Sequence, residues 1–359
     1  MHNTVYLTLE NGQVFTGKSF GMAGETIGEL VFTTEMVGCL ETLSDPSYFG
    51  QIVVQTFPLI GNYGVIPADL LSESCRMRAY IVREWCQVPS NFRCEGDLDT
   101  FLKNQGIIGL YDIDTRELTK VIRENGVMNA KISASPVTDL SEIKAYRIEN
   151  AIASVADGER SVFSPEMTAK RKVVLWDFGA KKHFDKELLS RGCEVVLMPY
   201  NATAEEILAE RPDGILLSDG PGDPTENEAI VKELKAVFAK KLPIFGIGLG
   251  HELLALSQGG TVSKLHYGHR GANQPVKDLS SGRVYITSQN HGYTVETLPA
   301  NSVLTHQNVN DHSCEGLRYN HIHAFSVQFI PQTAIGPQDT GFLFDQFVRS
   351  IDHEKSVRL

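Results

Sequence analysis

The sequence predicts an α/β protein of two domains, a β-rich α/β N-terminal domain followed by one built on a mainly parallel central sheet. Three observations carry that prediction. The chain has 359 residues, more than one small domain holds. Its first third alternates apolar and polar residues around tight-turn signals, the pattern of half-buried strands. From about residue 171, short apolar runs alternate with amphipathic helical stretches, which is how βαβ units with right-handed crossovers read.

The elements follow in order. TVYLTLENGQVFTG alternates on either side of Asn11-Gly12, a dipeptide suited to the φ > 0 positions of a hairpin turn. FGQIVVQTFPLIGNYG supplies another strand that ends in turn residues. DIDTRELTKVIRENG predicts a helix with Asp114 as N-cap, Leu118, Val121 and Ile122 on one face, and Gly126 past its end. Residues 151–170 lack sustained periodicity and read as a linker between a domain over 1–150 and one over 171–359. In the second domain KVVLWDFG, EVVLMPY, GILLSDG and PIFGIG read as strands. Helices AKKHFDKELLSRG, TAEEILAERP, ENEAIVKELKAVFAKK and LGHELLALSQGG follow them in turn. GRVYITSQ, SVLTHQ and HAFSVQF read as added strands, and TGFLFDQFVRSI as the last helix.

Composition narrows the function classes. Hydrophobic residues at 42% and charged residues at 21% are ordinary for a chain with a real core. A net charge of −11 argues against non-specific binding to nucleic acid or to an anionic membrane. No signal peptide is readable, and no apolar run is long enough to span a bilayer. The six cysteines form no CxxC pair and no metal-ligand spacing. Reduced thiols, a cytoplasmic location and no metal are the expectations.

The turn Gly246-Ile247-Gly248-Leu249-Gly250 admits three readings. A dinucleotide fingerprint needs a glycine where His251 stands, on the first strand of its domain. Glycines can also serve close helix–strand packing alone. The third reading is a nucleophile elbow, in which small residues at −2 and +2 permit a strained turn and the central residue is lifted above the sheet. Gly246 and Gly250 fit that spacing, but Gly248 has no side chain.

Several motifs in fixed order decide among these. They are DFGAKK, LLSDGPGDP, GIGLGHELLAL, YGHRGANQPV, ITSQNHGYTV and AFSVQFIPQTAIGPQDT, preceded by VFTTEMVGCLETLSDPSYFGQIV, PLIGNYG and IDTRELTKVIRENG. Over nearly its whole length the chain resembles the small subunit of carbamoyl-phosphate synthetase, whose second domain is of the class I glutamine amidotransferase type. The resemblance implies a Cys-His-Glu triad that hydrolyses glutamine by way of a thioester, and ammonia delivered to a large synthetase subunit. It implies no cofactor in this chain, since ATP and Mg belong to the large subunit. Roles in pyrimidine and arginine biosynthesis are implied with it.

Carried over position by position, the triad is missing. Gly248 stands for the cysteine, Ile330 for the histidine and Gln332 for the glutamate. Losing a whole nucleophile–base unit leaves roughly 10³–10⁴-fold over water in a comparable serine triad, too slow to feed a synthetase. Cys314 lies outside any elbow and reads as a partly buried strand or turn thiol. His321 and His323 read as polar residues at the wrong edge of a strand, and His251 as a packing and hydrogen-bonding residue.

The glutamine pocket is partly kept. By resemblance, Gly220 and Leu249 supply oxyanion-hole amides and Gly222 shares their loop. Ser47, Asn290, Gly292 and Tyr293 contact an amino-acid ligand, and Lys181 balances a carboxylate. Glu252 replaces a glutamine and Asp219 an asparagine, each exchanging an NH₂ donor for an acceptor-only carboxylate. That predicts added negative charge and weaker glutamine binding unless Glu252 is protonated or paired. The expected function is a small subunit that does not hydrolyse glutamine and serves the large subunit as a structural or regulatory partner. The alternative is a ligand-binding module with no synthetase partner, in which Asp219 and Glu252 select a cationic or amine ligand.

Overall fold

The computed structural model describes residues 3–156, 158–320, 322–331 and 336–358. His321 and Gln332, both named above, lie outside the described residues. The chain divides into two compact units, Met1–Ala151 with His266–Gly271, and Ile152–Leu265 with Ala272–Leu359. Among the described residues no helix is long and apolar enough to cross a membrane.

The first unit carries strands β1 (Thr4–Leu9), β2 (Val14–Gly21), β3 (Thr26–Thr33), β4 (Gln51–Gln55), β5 (Leu59–Ile60), β6 (Ala79–Ile81), β7 (Glu84–Trp85), β8 (Ile108–Tyr111) and β9 (Met128–Ser133). Its helices are α1 (Cys39–Ser44), α2 (Leu98–Gln105), α3 (Thr115–Asn125) and α4 (Ser141–Ala145). Seven strands close a barrel in the order β1-β2-β8-β6-β4-β3-β9. The Asn11-Gly12 hairpin sets the β1–β2 register, Thr8 opposite Val14, with Gly12 at φ 88°. On α3 the Asp114 carboxylate accepts the Glu117 N–H, and Gly126 ends the helix at φ 87°. β4 is buried along its whole length, which is why Ile52–Val54 reads as a continuous apolar run. Ile52 and Val54 face one cluster with Leu7, Leu30 and Leu110; Val53 faces the other with Tyr80, Leu40 and Leu43. The segment His266–Gly271 joins this unit through Val127 N–H to His266 C=O (2.9 Å) and Thr34 N–H to Arg270 C=O (3.1 Å).

The second unit begins within helix α5 (Ala151–Val155) and continues with β10 (Ser161–Phe163), β11 (Arg171–Trp176), β12 (Cys193–Met198), β13 (Gly214–Leu217), β14 (Ile244–Ile247), β15 (Thr261–Asp278), β16 (Val284–Thr297), β17 (Ser302–Asn308), β18 (Cys314–Tyr319) and β19 (Ala324–Val327). Its other helices are α6 (His183–Ser190), α7 (Ala204–Ala209), α8 (Glu228–Phe238), α9 (Leu249–Ser257) and α10 (Phe342–Arg358). The sheet has ten strands in the order β10-β12-β11-β13-β14-β19-β18-β17-β15-β16. Its centre, from β12 to β19, is parallel, and antiparallel strands flank it. Alternate residues of each central strand serve opposite faces. Val174, Trp176, Ile215 and Leu217 meet the helices α7, α8 and α9, while Val173, Leu175, Phe245 and Ile247 meet α6 and α10. The stretch read as a linker is therefore partly structured: β10 adds an antiparallel edge to β12, Val162 opposite Val196. Three residues are too short a run to show periodicity.

Candidate active site

In an open parallel sheet, ligands bind beyond the carboxyl ends of the strands. Here those ends bring together the exits of β11, β13, β14 and β19, and most residues singled out in the sequence sit on them. β14 runs into Gly248 at φ 54°, ψ −116°, and α9 starts at the next residue. The turn is as tight as the elbow spacing requires. A Cβ on Gly246 would lie 2.8 Å from the Gly250 carbonyl oxygen, and one on Gly250 2.6 Å from that of Leu217. Gly248 N–H donates to Val327 C=O (2.9 Å) and Gly250 N–H to Ser218 C=O (3.0 Å), tying the turn to β19 and to the β13 exit. Leu249 opens α9, so its N–H is among those a helix leaves without an internal partner.

The β13 exit is equally constrained. A Cβ on Gly220 would come within 2.1 Å of the Phe178 carbonyl oxygen, so only glycine fits there. Gly222 takes φ 94°, a region that penalises side chains. The Asp177 carboxylate accepts the N–H groups of Gly179 (2.8 Å) and Ala180 (2.7 Å), which shapes the neighbouring β11 exit.

Lys181 and Asp219 form a buried ion pair, Nζ to Oδ2 at 2.8 Å, with side chains 4% and 5% exposed. Lys181 thus neutralises a carboxylate of this chain. Glu252, in the first turn of α9, is also buried, and Gln328 Nε2 donates to its Oε1 (3.0 Å). Burial pushes the Glu252 carboxyl up to about 8, against the Gln328 hydrogen bond and with a push from the Asp223 charge. At neutral pH it is a protonated acid that keeps one O–H donor. The expected excess of negative charge is therefore corrected on both counts: Asp219 is ion-paired and Glu252 is neutral. The cation-selecting reading loses its motivation with it.

Asn290, Gly292 and Tyr293 are half-buried on β16. The Tyr293 hydroxyl donates to Asp223 Oδ2 (3.0 Å), and Lys264 Nζ stands 5.9 Å from its ring centre. Ser47 belongs to the first unit, in a 3₁₀ turn where its N–H donates to Asp45 Oδ1 (2.9 Å).

Ile330 follows β19 in the chain. Its N–H donates to Ser288 C=O (3.0 Å), and it is 5% exposed inside the apolar cluster that holds Phe329, Val327 and Phe344. The position carries no base. Gln332 is outside the described residues.

One thiol–imidazole pair does occur. His251 Nδ1 is 2.8 Å from Ser326 Oγ, and its Nε2 is 4.0 Å from Cys314 Sγ. All three are buried, Cys314 more completely than the sequence suggested. Burial lowers the imidazole to about 3 and raises the thiol to about 12, so both stay neutral and no thiolate forms. The packing role read for His251 agrees with this geometry. His323 is exposed at the opposite end of β19, 3.5 Å from Glu354. Sequence reasoning missed Gln328, Asp223 and Ser326; their partners lie far along the chain, and nothing local marks them.

The chain matches two families in succession. Residues 7–132 match the carbamoyl-phosphate synthase small chain, CPSase domain, and residues 174–350 match the class-I glutamine amidotransferases. It is 48% identical over 346 residues to a carbamoyl phosphate synthase small chain of Clostridium perfringens, covering 96% of this chain and 98% of that one. A small chain of Fusobacterium nucleatum is 46% identical, with 97% and 98% covered. A protein of Bacillus subtilis named carbamoyl phosphate synthase pyrimidine-specific small chain is 43% identical, with 96% and 95% covered. Sharing nearly half its residues with these proteins from end to end, the chain belongs to the carbamoyl phosphate synthase small chain family.

Proposed function

We propose that this chain is a carbamoyl phosphate synthase small subunit that does not hydrolyse glutamine. The observation that carries the reading is Ile330: where the family resemblance places the general base, an aliphatic side chain is sealed in the core. Gly248, with no side chain, removes the nucleophile as well. An acyl transfer needs both a nucleophile and a base to take its proton. The neutral pair His251–Cys314 supplies neither in active form.

The subunit serves a large synthetase subunit as a structural or regulatory partner, and the complex takes its nitrogen from free ammonia. ATP and Mg act on the large subunit. The retained cradle of Gly220, Leu249, Asn290, Gly292 and Tyr293 holds an amino-acid ligand as a signal and leaves its amide intact. The Bacillus subtilis relative's name points to pyrimidine synthesis as the setting. The test is to mix the purified chain with a large synthetase subunit, follow co-elution by gel filtration, and assay glutamate after adding glutamine. Co-elution without glutamate is the expected result. Glutamate released at ordinary enzyme rates, about 1 s⁻¹ or more, sinks the proposal.

A further inference from the structure

The elbow lacks the space for a nucleophile as well as the nucleophile. A Cβ built on Gly248 lies 2.8 Å from the Asp219 Cβ and 3.5 Å from its Cα. The Asp219 Cβ is the root of its side chain, so no rotamer change moves it away, and the loop itself must shift. Three contacts oppose that shift. Lys181 holds the Asp219 carboxylate at 2.8 Å in a buried ion pair. The Ser218 hydroxyl donates to the Asp219 carbonyl and accepts the Phe178 N–H, both at 2.8 Å. Gly220 lies so close to the Phe178 carbonyl that the loop has no slack on that side.

We infer that the Lys181–Asp219 pair is a lock that positions the β13 exit loop against the elbow, so that position 248 accepts glycine alone. Asp219 is then a positioning residue for the closed turn. The inference rests on reading the elbow as having lost its chemistry, and extends it: restoring a thiol at position 248 does not restore a usable nucleophile while the loop is held.

A double-mutant cycle isolates the contact. Gly248→Ala is expected to lower the melting temperature by about 5 °C or more, part of it from overpacking and part from the φ of 54°. In an Asp219→Gly background, which removes the opposing Cβ, the same replacement should cost less than half as much. The backbone strain is present in both backgrounds, and the loss of the Lys181 ion pair is common to both Asp219→Gly proteins, so the cycle reads what the contact and the held loop contribute. Additive losses overturn the inference. Because Gly248→Ala can fail to fold, a second measurement leaves Gly248 untouched. In Lys181→Met, hydrogen exchange of the Ser218, Asp219, Gly220 and Gly222 amides should quicken at least about tenfold, a change of at least about 1.4 kcal/mol in local opening, with β11 unchanged. Unaltered exchange in that loop overturns the lock. Neither readout involves glutamine. Additive losses therefore refute the lock and leave the non-hydrolysing reading standing, whereas glutamate release by the parent chain refutes that reading and leaves the contact in place.

Discussion

The backbone of the site and its reactive side-chain positions have fared differently. Every close approach the elbow needs is present, from Gly246 against Gly250 to Gly220 against Phe178, and the hydrogen bonds from Gly248 and Gly250 tie the turn to both neighbouring strand exits. At the described positions where the family resemblance places the nucleophile and the base, by contrast, stand a bare glycine and a core isoleucine. The cradle is held by packing of the sheet and helices, which requires no reactive side chain at Gly248 or Ile330. A glycine at a strained turn is mild for stability, since it accepts angles that other residues resist. An isoleucine in place of a buried imidazole adds apolar contact.

The largest effect should come from breaking the cradle. Gly220→Ala places a methyl group on the Phe178 carbonyl oxygen, and we expect a loss above about 3 kcal/mol, or no folded protein, in denaturant unfolding. A soluble variant with parental stability contradicts the tight approach.

Ile330→His sharpens the contrast from the other side. An imidazole in the cluster around Phe329 and Phe344 exchanges apolar burial for an unsatisfied polar group, for an expected loss of about 2 kcal/mol and no gain of glutaminase. A stable variant whose histidine titrates near its ordinary value by NMR contradicts the sealed environment.

The smallest change to the packing and hydrogen bonding of the site should be Glu252→Gln, since a protonated carboxyl and an amide both offer a donor. Its signature is pH dependence. The folded-state value of about 8 lies above that of an unfolded glutamate, about 4.3, so the stability Glu252 confers is full below the lower value. It is lost as pH rises through the upper one. Glu41, raised to about 7 by burial in the first unit, acts with the same sign and is untouched by the substitution. Relative to the parent, Glu252→Gln should therefore gain stability steadily from pH 5 to 8. A flat difference contradicts a neutral Glu252.

Much of this was legible before the structure. The Asn11-Gly12 hairpin, the capped helix from Thr115 to Asn125 and the βαβ alternation from β11 to α9 are local patterns, and the structure shows each of them. Closure of the barrel was not legible. It depends on β6, three residues long, and on pairings of β3 with β9 and β4 with β6 that no local pattern announces. β15 and β18 were missed because Thr261–Asp278 and Cys314–Tyr319 mix polar, glycine and apolar residues without alternation. In the site, the spacing of Gly246, Gly248 and Gly250 announced the turn. The charge states of Asp219 and Glu252 depend on burial and on Lys181 and Gln328, partners supplied by other elements, so spacing could not give them.

The central claim is that the scaffold outlived its glutaminase chemistry. Its most direct test is to supply the chain, assembled with a large synthetase subunit, with bicarbonate, ATP, amide-¹⁵N glutamine and unlabelled ammonium, and to read the isotope in the carbamoyl phosphate formed. Product whose nitrogen is unlabelled is the expected result; product carrying ¹⁵N from the glutamine amide contradicts it.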